Sequence, residues 1–376
     1  MEFIDLHAQY MKLKEQIDSE IQNVIKTTHF ISGEKVRQLE NELKTYVGTK
    51  YCLTCGNGTD ALTLALRALG VKTGDAVFVS NFTYFASAEV IALEHATPVF
   101  VDVDFTFNMD PNSLELAIKA VNEEGVLNPK AIIVVDLFGQ PANYGIIRKI
   151  AKKYNLKIIE DGAQGFGGSI GNKKACSFGD ISTTSFFPVK PLGCYGDGGA
   201  VFTNDKKYYD LMRSLAVHGK GEDKYINVRI GYNSRLDTIQ AAILLPKLKA
   251  FISYELDARN RIASNYSSKL KESFIVPMIL SGFTSSWAQY TLLAKNEEER
   301  SAIIQRLKDR GIPTMIYYKK PMHLEPVFLN VKQYVSLKNS ELFMHCAFSI
   351  PMHPYLDDET QNMIIDSLLG KGGASF

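Results

Sequence analysis

The chain has 376 residues, 45% of them hydrophobic, and its 42 lysines and arginines nearly balance its 41 aspartates and glutamates. This length predicts roughly two domains with ample buried core, and the near-neutral charge argues against a broad nucleic-acid surface or an acidic tail. The start, Met1-Glu-Phe-Ile-Asp-Leu-His7, reads as no signal peptide, no apolar run nears the ~20 residues of a bilayer span, and five scattered cysteines fit reduced thiols; the expectation is a cytoplasmic protein with no nucleic-acid and no membrane partner.

Residues 8–27 carry Tyr10, Leu13, Ile17, Ile21 and Ile25 at helical spacing and predict a helix. Ser32 or Gly33 then opens a second helix to about Val47, with Val36, Leu39, Leu43 and Tyr46 on one face. From residue 51 short apolar strands alternate with helices. The reading is strand 51–55, helix 59–69, strand 76–80, helix 85–95, strand 98–103 and helix 112–120, then strand 131–137, helix 142–154 and strand 157–160. Strands at 181–187 and 200–203 and a helix at 206–216 follow. Such alternation predicts an α/β domain with a mostly parallel sheet covered on both faces, whose ligands sit beyond the carboxyl ends of the strands. A long helical pattern from Ser234 to Leu270 contains Pro246, which is expected to kink it or end its first part. The domain boundary is placed there: 1–245 form a large domain and 246–376 a smaller α+β domain. The smaller domain has strands at 289–294 and 314–318 and helices at 297–310 and 358–369. The N-terminal helix, within residues 1–30, is a candidate to pack on the small domain. Gly370 to Phe376 reads as a frayed tail.

Three stretches carry chemistry. In Ser185-Phe-Phe-Pro-Val-Lys190-Pro-Leu-Gly193 a lysine lies between two prolines, which exclude a regular helix and fix its path. Glycines 193, 196, 198 and 199 follow and allow close approach of another group. A solvated surface charge is the commonest use of lysine; a carbonyl-reactive amine is the functional one. In Gly56-Asn-Gly-Thr-Asp-Ala61 a glycine-rich turn runs from a strand into a helix, which suits a phosphate held by free N–H groups of Gly58 and Thr59. The plainer reading is a strand–helix turn with Thr59 as N-cap. In Leu156-Lys-Ile-Ile-Glu-Asp161-Gly-Ala-Gln164 two acids end an apolar strand. Strand alternation sends Glu160 and Asp161 to opposite sides, so one of them is the site residue. Cys52 and Cys55 read as small buried hydrophobes rather than a metal or redox pair, and no metal site is expected.

Lys190, Asp161 and the Gly58/Thr59 turn together suit pyridoxal 5'-phosphate, which needs an amine to hold it, an acid beside its pyridine nitrogen and a phosphate cup. Ser185, five residues before the lysine, offers a further hydroxyl to the phosphate.

The same residues carry a family resemblance. Phe3-Ile-Asp-Leu6, Gly56-Asn-Gly-Thr-Asp-Ala-Leu62, Asn81-Phe-Thr-Tyr84, Asp136-Leu-Phe-Gly139, Glu160-Asp-Gly-Ala-Gln164, the Lys190 stretch, Gly196-Asp-Gly-Gly-Ala200, Gly231-Tyr-Asn-Ser-Arg-Leu-Asp237 and Pro351-Met-His-Pro-Tyr355 span nearly the whole chain. It resembles the DegT-type nucleotide-sugar aminotransferases of the aspartate-aminotransferase fold group (fold type I). The resemblance implies that Lys190 carries the cofactor and shuttles the proton, that Asp161 pairs with the pyridinium and that Gln164 contacts the ring's phenolic oxygen. It implies that Tyr84 stacks on the ring and that Gly58, Thr59 and Ser185 hold the phosphate. It implies that Asn233 reaches the phosphate of a neighbouring subunit, and with that a homodimer with shared active sites. By the same resemblance Arg235 is expected to face the substrate's nucleotide phosphates, a surface ion pair with a nearby acid such as Asp237 being its plainer reading. Tyr317 and Tyr318 fall where the closest subgroup has a histidine and a tyrosine near the sugar, so Tyr317 departs from that pattern.

The reaction implied is amino transfer from L-glutamate to a keto-sugar linked to UDP or dTDP, at C3, for surface-glycan amino-sugars such as those of lipopolysaccharide O-antigen. The alternatives are a C4 keto-sugar, another pyridoxal enzyme (a lyase or dehydratase), or a non-catalytic protein that kept the fold. The retained Lys190 and Asp161 argue against the last.

Overall fold

The computed structural model describes residues 1–223 and 225–371, so the last five residues of the expected tail lie outside it. Two helices lead the chain, α1 (Leu6–Thr27) and α2 (Glu34–Val47). Then come β1 (Tyr51–Cys55), α3 (Gly58–Ala68), β2 (Asp75–Ser80), α4 (Ala86–Leu93), β3 (Thr97–Val101), α5 (Pro111–Glu124), β4 (Asn128–Val135), α6 (Tyr144–Lys153) and β5 (Lys157–Asp161). A short pair, β6 (Ser169–Ile170) and β7 (Lys173–Lys174), precedes β8 (Ile181–Ser185), β9 (Gly199–Thr203) and α7 (Lys206–Leu215). The remainder holds α8 (Thr238–Ala250), α9 (Leu256–Leu270), β10 (Phe283–Thr284), β11 (Tyr290–Leu293), α10 (Glu297–Asp309), α11 (Lys338–Cys346), β12 (Ala347–Ile350) and α12 (Asp358–Leu368). Among the described residues no helix is long and apolar enough to cross a membrane.

The main sheet has seven strands in the order β1-β9-β8-β5-β4-β2-β3. Only β9 runs antiparallel to its neighbours. Both faces are covered, so Ala76, Val77, Phe78 and Val79 form an unbroken buried run rather than an alternating one. α3 lies over the middle of one face. Its Ala61, Ala65 and Ala68 let it approach closely while Leu62, Leu64 and Leu66 fill the space around it. Each fully buried leucine contributes about 1.5–3 kcal/mol. α5 and α6 cover the opposite face, and α2 and α8 cover β1 and β9. The carboxyl ends of β1, β4, β5 and β8 therefore open onto one rim.

The second part has its own core, in which Ile262, Tyr266, Tyr290, Ile303, Phe348 and Ile364 meet. α1 packs on α8, with Leu13 and Ile17 against Ile243 and Ala250. Pro246 does not end its helix: α8 runs through it to Ala250, and the irregularity comes later, as a π-helical turn at Phe251–Glu255 that leads into α9. The strand expected at 314–318 is absent. Met315 makes a single bridge to Ser349, and Pro313 before it and the turn at 317–320 after it stop a ladder from growing. The strand that does pair with β11 is β12, a four-residue apolar segment.

Glycine sets the fit between β9 and the first turn of α3. A Cβ on Gly199 would lie 2.4 Å from Asn57 O and 3.0 Å from Gly58 N, both backbone atoms. Gly199→Ala is expected to destabilise by about 1–3 kcal/mol and to push the Gly58 turn out of place. An unchanged urea midpoint would show that this contact has slack.

Candidate active site

A cavity of about 710 Å³ opens on the rim and is lined by Gly58, Thr59, Tyr84, Asp161, Gln164, Ser185, Lys190, Tyr317 and Tyr318. Residues predicted from distant stretches of chain thus meet in one place. Asn233 and Arg235 do not line it. Arg235 is half-buried, donates a hydrogen bond to Asn233 Oδ1, and is not among the ion pairs with a carboxylate.

Lys190 ends a tight turn in which its N–H donates to Phe187 O at 2.9 Å. Cys194 N–H donates to Phe186 O at 2.8 Å, closing the loop. The glycines beyond it serve close packing within the chain: a Cβ on Gly193 would lie 2.3 Å from Pro188 O, and one on Gly198 would lie 2.8 Å from Leu236. The Lys190 ammonium sits 5.9 Å from the Tyr84 ring centroid. Burial pulls its pKa down, and the Asp161 carboxylate partly opposes that.

Glu160 and Asp161 do face opposite ways. Glu160 is wholly buried behind the sheet and accepts from Cys176 N (2.5 Å), Phe178 N (2.6 Å) and Ser182 Oγ (2.7 Å), so it organises the 176–182 loop. Asp161 is 5% exposed and turns to the cavity. Ser87 Oγ donates to its Oδ2 at 2.8 Å and Ala163 N to its Oδ1 at 3.2 Å. Burial raises its pKa, and Ser87, Ala163 and Lys190 offset part of that rise.

At another wall Asn57, not Thr59, caps α3, its Oδ1 accepting from Asp60 N at 2.7 Å. The N–H groups of Gly58 and Thr59 are left at the positive end of the helix dipole. Ser185 stands directly over them: a Cβ on Gly58 would meet Ser185 Cβ at 2.7 Å, so only glycine leaves this cup open. Ser234 Oγ accepts from Gly56 N at 2.9 Å and donates to Asp60 at 2.5 Å, which ties the 231–235 segment to the same turn.

Gln164 joins the two parts of the molecule. Its Oε1 accepts from Phe138 N at 2.7 Å, its Nε2 donates to Tyr318 OH at 3.1 Å, and its carbonyl accepts from Ser286 Oγ at 2.6 Å. Burial raises the Tyr318 phenol well out of the physiological range. Sequence reasoning missed Ser87, Ser234, Gln289, Lys319 and Lys320; of these Gln289, Lys319 and Lys320 line the cavity. Ser87 and Ser234 are common residue types, and only their partners mark them. The adjacent lysines at 319 and 320 were legible, since they directly follow Tyr318. All five cysteines are free and buried, and burial raises the Cys52 and Cys55 thiols, which fits packing residues.

The residues fit pyridoxal phosphate. The cavity offers neutral donors at a helix N-terminus, a buried carboxylate with room for a cationic partner, an amine whose charge is disfavoured, and the 58%-exposed ring of Tyr84. The Asp161 carboxyl also has a pH signature. Its folded pKa is raised, so its contribution to stability is full below the ordinary aspartate value and is lost as pH rises through the folded pKa. Cofactor-free protein should therefore lose urea resistance over that rise, and Asp161→Asn should lose less, the remainder coming from other buried carboxyls such as Asp136. Parallel curves for the two proteins would count against a perturbed carboxyl.

Comparisons with known proteins agree with this geometry. The chain is 44% identical over 370 residues to the UDP-2-acetamido-2-deoxy-3-oxo-D-glucuronate aminotransferase of Pseudomonas aeruginosa, covering 98% of this chain and 99% of that one. It superposes on a DegT/DnrJ/EryC1/StrS aminotransferase from Brucella abortus with a TM-score of 0.96 at 46% identity, over 98% and 99% of the two chains. It also superposes on NtdA from Bacillus subtilis, solved with bound pyridoxamine phosphate, with a TM-score of 0.85 at 28% identity over 96% and 82%. Residues 11–369 match the DegT/DnrJ/EryC1/StrS aminotransferase family, and the chain belongs to that family of pyridoxal phosphate-dependent aminotransferases.

Proposed function

We propose that the protein moves an amino group from L-glutamate to C3 of a UDP-linked keto-sugar. It would do so in the cytoplasm, as a homodimer with shared active sites, to supply amino-sugars for a surface glycan such as an O-antigen. The observation that carries the reading is the meeting of Lys190, Asp161, Gln164 and the Gly58–Ser185 cup in one cavity, together with the 3-oxo sugar nucleotide named for the Pseudomonas relative. A dTDP-linked sugar is the alternative.

Bound there, pyridoxal phosphate supplies the electron sink for breaking the bond to the donor's α-proton. Lys190, its charge disfavoured by burial, takes that proton and returns it on the other side of the exchange. Asp161 keeps a proton on the pyridine nitrogen. Gln164 would meet the phenolic oxygen, Tyr84 would cover one ring face, and Gly58, Thr59 and Ser185 would hold the phosphate. Tyr317 and Tyr318 line the sugar's side. Asn233 and Arg235 serve the partner's site, with Arg235 gripping nucleotide phosphate. That reading is supported by their position outside their own chain's cavity and by exposed apolar side chains a few residues earlier in the chain, Val228 at 56% and Ile230 at 84%. The two-domain division at residues 245 and 246 is supported by the separate apolar core of the second part.

Lys190→Ala should cost about 10²–10⁴-fold in turnover and abolish the yellow colour shift on adding glutamate. A variant that keeps both would sink the assignment. Mixing Lys190→Ala with Arg235→Ala subunits should restore activity through hybrid dimers, in which one site is intact. Failure of two folded, dimeric parents to complement would show that sites are not shared.

A further inference from the structure

The charges of the cavity do not close on the residues assigned so far. Lys190 and Asp161 answer each other, and the Gly58–Ser185 cup is uncharged. Lys319 and Lys320 also line the cavity, are exposed, and are not among the ion pairs with a carboxylate. Asp197 and Glu325 line the same cavity and form no ion pair with them either. Two adjacent cations without a counter-charge repel each other, and an incoming anion relieves that repulsion.

The backbone that carries them is held at both ends. Before the pair, Tyr318 OH accepts from Gln164 Nε2 at 3.1 Å and its ring meets Phe82 edge-on at 5.8 Å. After it, Met322 N–H donates to Asn81 O at 2.8 Å and His323 N–H to Asn81 Oδ1 at 3.0 Å. The attachment points are fixed while the charged heads are free. A lysine is a compact charge on a flexible stem and asks no fixed geometry of its partner. That suits a single carboxylate whose position is set by the rest of a bound sugar. The anchor at Gln164 ties the residue before the pair to the segment that follows Asp161.

We propose that Lys319 and Lys320 are the residues that bind a carboxylate on an acidic nucleotide keto-sugar, a group that the 3-oxo-glucuronate named for the Pseudomonas relative also carries. This rests on the sugar-nucleotide reading above. The same oxyanion chemistry is available from the nucleotide diphosphate, and the test separates the two. Binding of UDP-glucuronate, UDP-glucose and UDP is measured on the pyridoxamine form of the dimer, for wild type, Lys319→Met/Lys320→Met and Lys319→Arg/Lys320→Arg. Wild type should prefer UDP-glucuronate over UDP-glucose. The methionine variant should lose that preference, with UDP-glucuronate weakened about 10- to 100-fold, and the arginine variant should keep it. Equal weakening of all three ligands would place the lysines on the diphosphate and overturn the proposal, as would a wild type without preference. If wild type aminates no nucleotide keto-sugar, the function reading fails instead, and that assay is separate from the binding one.

Discussion

A carboxylate held almost out of water at the carboxyl end of β5 is the constraint on which the site depends. Asp161 is 5% exposed and its own chain gives it two hydrogen bonds and a lysine that is not in contact with it. A buried charge so placed is costly unless a cation comes to it. A protonated pyridine ring is such a cation. The same burial that raises the Asp161 pKa lowers that of Lys190, so one environment disfavours the charge on both the acid and the amine.

What holds β5 in place is the residue beside Asp161. Glu160 turns away from the cavity and is saturated by donors of the 176–182 loop. That loop leads into β8, which carries Ser185 and then the Lys190 turn. Asp136, at the end of β4, is also buried; it accepts from Ala142 N and Tyr144 OH, each at 2.9 Å, and burial with Glu160 nearby raises its pKa. A Cβ on Gly165 would lie 2.5 Å from Asp136 Cβ, so the segment after Asp161 packs hard against the end of β4. Positions along the strand ends are thereby coupled through packed backbone.

Gly58, Asp161, Ser185 and Lys190 come to the cavity from the first part of the chain, and Gln289 and the 317–320 turn from the later part line it from the other side. Gln164 bonds to both, through Phe138 on one side and Tyr318 and Ser286 on the other. Changes in the 317–320 turn alter one wall of the cavity while Asp161 and Lys190 stay where they are.

Much of this was legible in the residues. The alternation from residue 51 onward marks the α/β sheet, because strands buried on both faces must be short apolar runs. The ends of those runs mark Asp161 and the Gly58 turn, and two prolines mark Lys190. Local pattern was weaker in the smaller part: 314–318 looks β-favouring but has no partner, and Pro246 is accommodated inside α8. The roles of Ser87, Ser234 and Glu160 were not legible, since each depends on a hydrogen-bond partner more than ten residues away. The sequence alone therefore singled out Lys190 and determined the order of the elements, which depend on near neighbours and on periodicity. Only the tertiary structure decided which donors hold Glu160, which serine bonds to Asp161 and which lysines are left without a counter-charge, because burial and charge pairing are set by residues that the fold, not the chain, brings together.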